Sequence, residues 1–136
     1  MSDAGTALPH HVVAGVLRRG GRVLLAHRTP DRRWYPGAWD LPGGHVGAGE
    51  QPGSALRREL REELGVEVDV VGEPFASVRG RDFRMDVWVV DRWAGEPTNC
   101  APDEHDALAW LSPDELGGLV LADPRLPELL RAAVGH

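Results

Sequence analysis

Apolar residues follow two rhythms along this chain, and each change of rhythm marks an element. Residues 11–17 (HVVAGVL) and 22–27 (RVLLAH) are runs of aliphatic and β-branched residues and predict strands. RRGG at 18–21 separates them and reads as a hairpin turn. Further strands are predicted at 66–71 (VEVDVV), 75–79 (FASVR), 83–92 (FRMDVWVVDR) and 107–111 (ALAWL). DLPGG (40–44) ends a short strand in a tight glycine turn. Residues 31–39 form a Pro/Gly/aromatic loop, 44–53 a structured glycine-rich loop, and 94–106 a long polar loop. A helix is predicted from Pro52 to Leu64, with Pro at its first position and Gly65 as a left-handed cap. Ser112 and Glu115 form a capping pair that starts a helical turn at 112–116, and residues 124–134 read as an amphipathic terminal helix. No repeat or linker interrupts the pattern. Mixed strands with a few helices predict one α/β sandwich domain over residues 1–136, with residues 1–9 loose.

The 136-residue length suits one domain with one core, and 42% hydrophobic with 26% charged residues is ordinary for a globular protein. No apolar run approaches the roughly 20 residues of a membrane span, and the N-terminus shows no secretory pattern. Cys100 is the only cysteine, so no intramolecular disulfide can form, which fits a cytoplasmic protein. A net charge of −6 argues against a binder of nucleic-acid backbones. It leaves room for a small anionic substrate if a divalent cation bridges the two. All 15 basic residues are arginine, which reads as genome composition more than function.

The 52–64 helix carries the chemistry. Leu56, Leu60 and Leu64 recur at i, i+4 and i+8 as a narrow apolar stripe. Glu59, Glu62 and Glu63 share a second stripe, and at about 100° per residue it lies beside the first. The carboxylates therefore sit at the edge of the buried face, where they repel one another. Arginine or a hard cation must offset them. Arg58 and Glu62, spaced i, i+4, also allow an ordinary salt-bridged surface helix. The surroundings decide otherwise. Gly44, Glu50, Arg58-Glu59-Leu60, Glu62-Glu63 and Gly65-Val66 match G-x5-E-x7-R-E-U-x-E-E-x-G-U, with U aliphatic, at every fixed position. The chain therefore resembles a Nudix hydrolase. VVAGVL, RVLLAHR, WDLPGG, GEP and WLSPDEL extend the resemblance over most of residues 11–116.

The resemblance implies an αβα sandwich with a mixed central sheet. It implies hydrolysis of a nucleoside diphosphate linked to another group, with Mg²⁺ or Mn²⁺ as cofactor and water attacking a phosphorus. Glu59, Glu62 and Glu63 should be metal ligands, joined by the carbonyl of Gly43 or Gly44. The base would be Glu59 or a glutamate on a later loop. Glu104, six residues before Trp110, resembles an extra acidic ligand, though the acidic 103–106 stretch also suits a solvated loop. Arg58 would orient the glutamates, and Glu50 would be structural. A nucleoside triphosphate is the expected substrate, an oxidised one such as 8-oxo-dGTP included. ADP-ribose or a nucleotide sugar is the alternative, and a non-catalytic nucleotide sensor a further one. The expected partners are a small nucleotide and a second copy in a homodimer, without nucleic acid or membrane.

Outside the motif, Arg28, Arg32 and Arg33 could meet phosphate and equally well be surface. Trp34, Tyr35 and Trp39 could stack a base, with core packing the stronger reading for Trp39. Asp40 could accept a hydrogen bond from a purine edge, and His45 could touch phosphate. Trp88 and Trp93 read as core or rim. His10, His11, His27, His105 and His136 lack metal-ligand spacing and read as structural, and Cys100 as inert.

Overall fold

The computed structural model describes residues 10–70 and 72–136, so the expectation for residues 1–9 lies outside the described part. Its first long strand, β1 (His10–Arg19), organises the sheet. It runs parallel to β7 (Phe83–Val90) from His10↔Phe83 to Leu17↔Val90. On its other edge it pairs antiparallel with β4 (Gly43–His45), and then at its end with β2 (Arg22–Arg28). The hairpin between β1 and β2 turns on Gly20 and Gly21 at φ 59° and 78°, the left-handed pair a type I′ turn requires. β2 in turn carries β3 (Trp39–Asp40) and β9 (His105–Leu111), and β6 (Ala76–Arg79) closes the far edge on β7. This is a mixed seven-stranded sheet.

Strand alternation divides the buried side chains between two faces. Val13, Leu17, Leu24, Trp88 and Val90 pack with Leu56, Leu60 and Leu64 of α1 (Pro52–Leu64). Ala14, Val16, Val23, Leu25 and Val87 pack with Leu126, Leu130 and Ala133 of α2 (Leu126–Gly135). One helix on each face makes the αβα sandwich expected from the sequence. α1 occupies the predicted residues. Gly65, at φ 71°, returns its amide to the Arg61 carbonyl as a left-handed cap. The capping box at Ser112 and Glu115 starts a 3₁₀ turn, Pro113–Leu116.

Several elements differ from expectation. The 66–71 strand shortens to β5 (Glu67–Val68), which leaves the main sheet to pair with β8 (Trp93–Ala94). Three residues of the predicted 94–106 loop are in strands, Ala94 in β8 and His105 and Asp106 in β9. Gly44 and His45, also expected in a loop, are in β4. Local composition misses these pairings because they are long-range ladders. No helix among the described residues is long and apolar enough to cross a membrane. The apolar face of α2 is used on the molecule's own core.

Candidate active site

The adjacent stripes on α1 give its glutamates different surroundings. Glu63, between Leu60 and Leu64, is drawn into the interior and is 3% exposed. Glu59, one turn earlier on the same edge, has a side chain 16% exposed, while Glu62, at 57%, lies on the solvent-facing edge of the cleft. The strand opposite makes room for them. A Cβ at Gly44 would sit 2.3 Å from Cδ of Glu59, and one at Gly43 would sit 2.0 Å from the Val13 carbonyl oxygen. Only glycine permits this approach of β4 to both neighbours. The Gly43 amide donates to Oε1 of Glu63 at 3.2 Å.

Arg58 holds the exposed side of the cluster. Its Nε and Nη2 donate to both oxygens of Glu50 at 2.8 and 3.0 Å. Its Nη1 donates to Glu59 at 2.9 Å and to Glu62 at 3.1 Å, and Nη2 also reaches the His45 carbonyl at 3.0 Å. Glu50 further accepts the Gly47 amide at 2.8 Å. The Arg58 fork and that amide hold the Glu50 carboxyl down at about 2. Glu50 thus ties the loop to Arg58, and Arg58 fixes two of the three helix glutamates.

The opposite wall comes from the end of β2 and the start of β9. Arg28 donates to the Trp34 carbonyl at 2.7 Å, and its Nη1 lies 3.9 Å from Asp40. Arg32 donates to the Glu104 carbonyl and carboxylate at 3.2 and 3.4 Å. The cleft between these walls measures about 580 Å³ and includes Glu59, Glu62, Glu63, Glu104, Arg28, Arg32, Asp40, Gly43 and His45 in its lining. Trp34 and Tyr35, 45% and 52% exposed, flank its mouth. The Trp34 ring meets that of His10 edge-on at 5.5 Å, and His10 meets His45 at 5.4 Å. A second hollow of about 600 Å³, lined by Ser77, Arg84, Asp86 and Trp88 among others, shares no residue with this cleft.

Trp39 is not in the lining. It packs against the α2-side core, with its ring 5.0 Å from that of His27. Alternation along β3 explains the correction: Asp40 faces the cleft, so its neighbour cannot. His105, expected from its lack of metal-ligand spacing to be structural, lies in the cleft lining. It is 5% exposed, and its Nε2 lies 3.8 Å from Oε1 of Glu63. Its adjacency to Glu104 was the available signal.

The electrostatics are those of crowded carboxylates. Burial first, then the charges of Glu59 and Glu104, push the Glu63 carboxyl up to about 9. Burial pushes Asp40 up to about 6 against the pull of the Leu41 amide and Arg28. Burial and the neighbouring guanidinium of Arg32 lower Arg28. One ligand atom from each of Glu63, Glu104 and His105 lies within 4.8 Å of the others. Two of these atoms are carboxylate oxygens, one buried and one half-exposed, and oxygen donors brought that close suit a hard divalent cation.

The sequence profile of the NUDIX domain matches residues 9–133. The chain belongs to the NUDIX family. Among NUDIX relatives, the CTP pyrophosphohydrolase of Escherichia coli K12 is 41% identical over 131 residues, covering 90% of this chain and 93% of that one. A Mycobacterium tuberculosis protein named as a candidate 8-oxo-dGTP diphosphatase is 41% identical over 111 residues, covering 77% and 74%. The crystal structure of a MutT NUDIX hydrolase from Burkholderia pseudomallei superposes with a TM-score of 0.77 at 29% identity, covering 95% and 98%.

Proposed function

We propose that this NUDIX protein hydrolyses a phosphoanhydride bond of a nucleoside triphosphate, with Mg²⁺ or Mn²⁺ as its cofactor. The observation that carries the reading is the convergence of Glu59, Glu62, Glu63 and Glu104 on one cleft that also holds Arg28 and Arg32. Relatives named for CTP and for 8-oxo-dGTP, both triphosphates, support that substrate class.

Glu59, Glu62, Glu63 and Glu104, with the carbonyl of Gly43, would hold the metal. When bound, it supplies positive charge against the diphosphate oxygens and makes phosphorus a better electrophile. The chain's own residues do the rest. Arg28 and Arg32 bind phosphate oxygens from the opposite wall, with His45 beside them. Trp34 and Tyr35 cover the base, and Asp40 meets its polar edge. Glu59 or Glu104 takes the proton of the attacking water. Arg58 keeps Glu59 and Glu62 aimed into the cleft, so it is a positioning residue. The enzyme would act on the cytoplasmic nucleotide pool, in keeping with its single unpaired cysteine. A homodimer is compatible with this reading and would need a surface other than the buried face of α2.

The test is release of phosphate and pyrophosphate from a panel of nucleoside triphosphates, oxidised nucleotides, ADP-ribose and nucleotide sugars, with Mg²⁺. Triphosphates should be cleaved fastest, and Glu63→Gln should abolish turnover. Preference for ADP-ribose or a nucleotide sugar would replace the triphosphate reading, and no turnover of any member would end the enzymatic one.

A further inference from the structure

The carboxylates of Glu63 and Glu104 share their corner of the cleft with a ring that has no other occupation. His105 is 5% exposed, and its Nδ1 is buried with no hydrogen-bond partner among the described residues. Its Nε2, at 3.8 Å from Oε1 of Glu63, is too far for a hydrogen bond. Neither ring nitrogen is thus hydrogen-bonded to another described residue, and the neutral ring keeps an unused lone pair beside the two carboxylates.

The backbone that carries the ring is held in place. The His105 amide donates to Ala101 at 2.9 Å, and its carbonyl accepts the Asn99 side-chain amide at 2.7 Å. Next to it, the Thr29 amide donates to the Glu104 carbonyl at 3.1 Å. The β2–β9 register breaks between His27 and Arg28, where Arg28 pairs with His105. A bulge at this point re-aims the side chains that follow it. The result is one imidazole nitrogen and two carboxylate oxygens mutually within 4.8 Å. Ligands about 2.0–2.2 Å from a common ion lie at most about 4.4 Å apart, so a small adjustment suffices.

We propose that His105 supplies a nitrogen ligand to the cation held by Glu63 and Glu104, making this a mixed nitrogen–oxygen site that favours Mn²⁺ over Mg²⁺. The proposal rests on the metal-dependent reading above and adds a ligand and a selectivity to it. Mg²⁺ takes oxygen ligands and gives up its waters reluctantly, whereas the first-row transition ions accept imidazole, Mn²⁺ the most weakly of them, so the selectivity is for Mn²⁺ against Mg²⁺ alone.

The test uses the full chain loaded with Mn²⁺ alone, without nucleotide. Pulsed electron paramagnetic resonance should show ¹⁴N modulation from a directly bound imidazole. The signal should vanish in both His105→Asn and His105→Gln, checked for native circular dichroism, while Mn²⁺ still binds through the carboxylates. Calorimetric titration should show the Mn²⁺-over-Mg²⁺ preference falling at least about tenfold in the same variants, the size of effect that shell changes at metal sites produce. Absence of ¹⁴N modulation in Mn²⁺-loaded wild type, or its persistence in both variants, overturns the ligand role while leaving the metal-dependent reading intact. Failure of wild type to bind Mn²⁺ or Mg²⁺ overturns both.

Discussion

Glu59 lies against the backbone of Gly44 with no space for a methyl group between them, since a Cβ there would approach Cδ of Glu59 to 2.3 Å. This contact lets a strand and a helix share one site. Gly44→Ala should fold, because β4 can keep its pairing, but must displace the carboxylate by an ångström or more. We expect kcat to fall about 10²-fold, the usual effect of a 1 Å misplacement. Steady-state kinetics beside a thermal melt checks this, and wild-type kcat in a folded variant would refute it.

The raised Glu63 carboxyl couples metal binding to protons. At neutral pH the metal-free protein holds Glu63 protonated, so a cation bound by this carboxylate would have to displace that proton. Calorimetry in two buffers of different ionisation enthalpy should give close to one proton released per ion near pH 7.5. Affinity should rise with pH towards about 9. The sign for stability follows. A folded value above the ordinary carboxylate range means stabilisation that is fully present near pH 4 and is lost as pH rises through about 9. The metal-free protein should therefore weaken over that interval, and added Mg²⁺ should offset the loss. Urea titrations across pH measure it.

Asp86, 1% exposed, is a second electrostatic commitment with a purely structural outcome. Burial opposes its charge, but Arg84 at 3.0 and 3.1 Å, Ser77 at 2.6 Å and His11 at 2.8 Å outweigh it and hold the carboxyl at about 2. Asp86→Ala removes the shared acceptor of Arg84, Ser77 and His11, and because Arg84 and His11 are partly open to solvent it should cost about 1–2 kcal/mol. Because the folded value is depressed, this stabilisation is present above the ordinary carboxylate range and is lost as pH falls towards about 2. The gap between wild type and variant in urea midpoint should narrow accordingly. A constant gap from pH 7 to pH 3 would contradict the assignment.

Trp34 flanks the cleft mouth, with Arg33 stacked 4.9 Å from its ring on one side and His10 edge-on at the other. Trp34→Ala should raise KM for the preferred nucleotide about 5–10-fold, the low end of base–aromatic stacking for a half-exposed ring. It should leave kcat nearly unchanged. A matching fall in kcat would place the tryptophan in the chemistry instead of in binding.

The glutamate half of the candidate site was legible in the sequence because its information is local. Helical spacing puts Glu59 and Glu63 on one edge, and Arg58 reaches Glu62 within a turn. What lay across the cleft was less legible. Asp40 and Trp39 are neighbours with opposite fates, and only the direction of β3 separates them. His105 has no spacing signal because its partner Glu63 is 42 positions away and reaches it through the fold. The β5–β8 pair and the β4 strand escaped for the same reason: two- and three-residue ladders depend on partners that composition does not reveal.

The amides of Thr98 and Cys100 donate to the last carbonyls of α1, those of Leu64 and Glu63, at 3.1 and 2.8 Å. The chain then needs only a few residues to deliver Glu104 beside Glu63. Two acidic groups far apart in sequence are in effect mounted on a single bracket, with one end the helix and the other the loop. Lengthening or shortening residues 99–103 would slide one group past the other without touching either. Insertions should therefore be tolerated in the 31–37 loop at the cleft mouth and rejected in this short span.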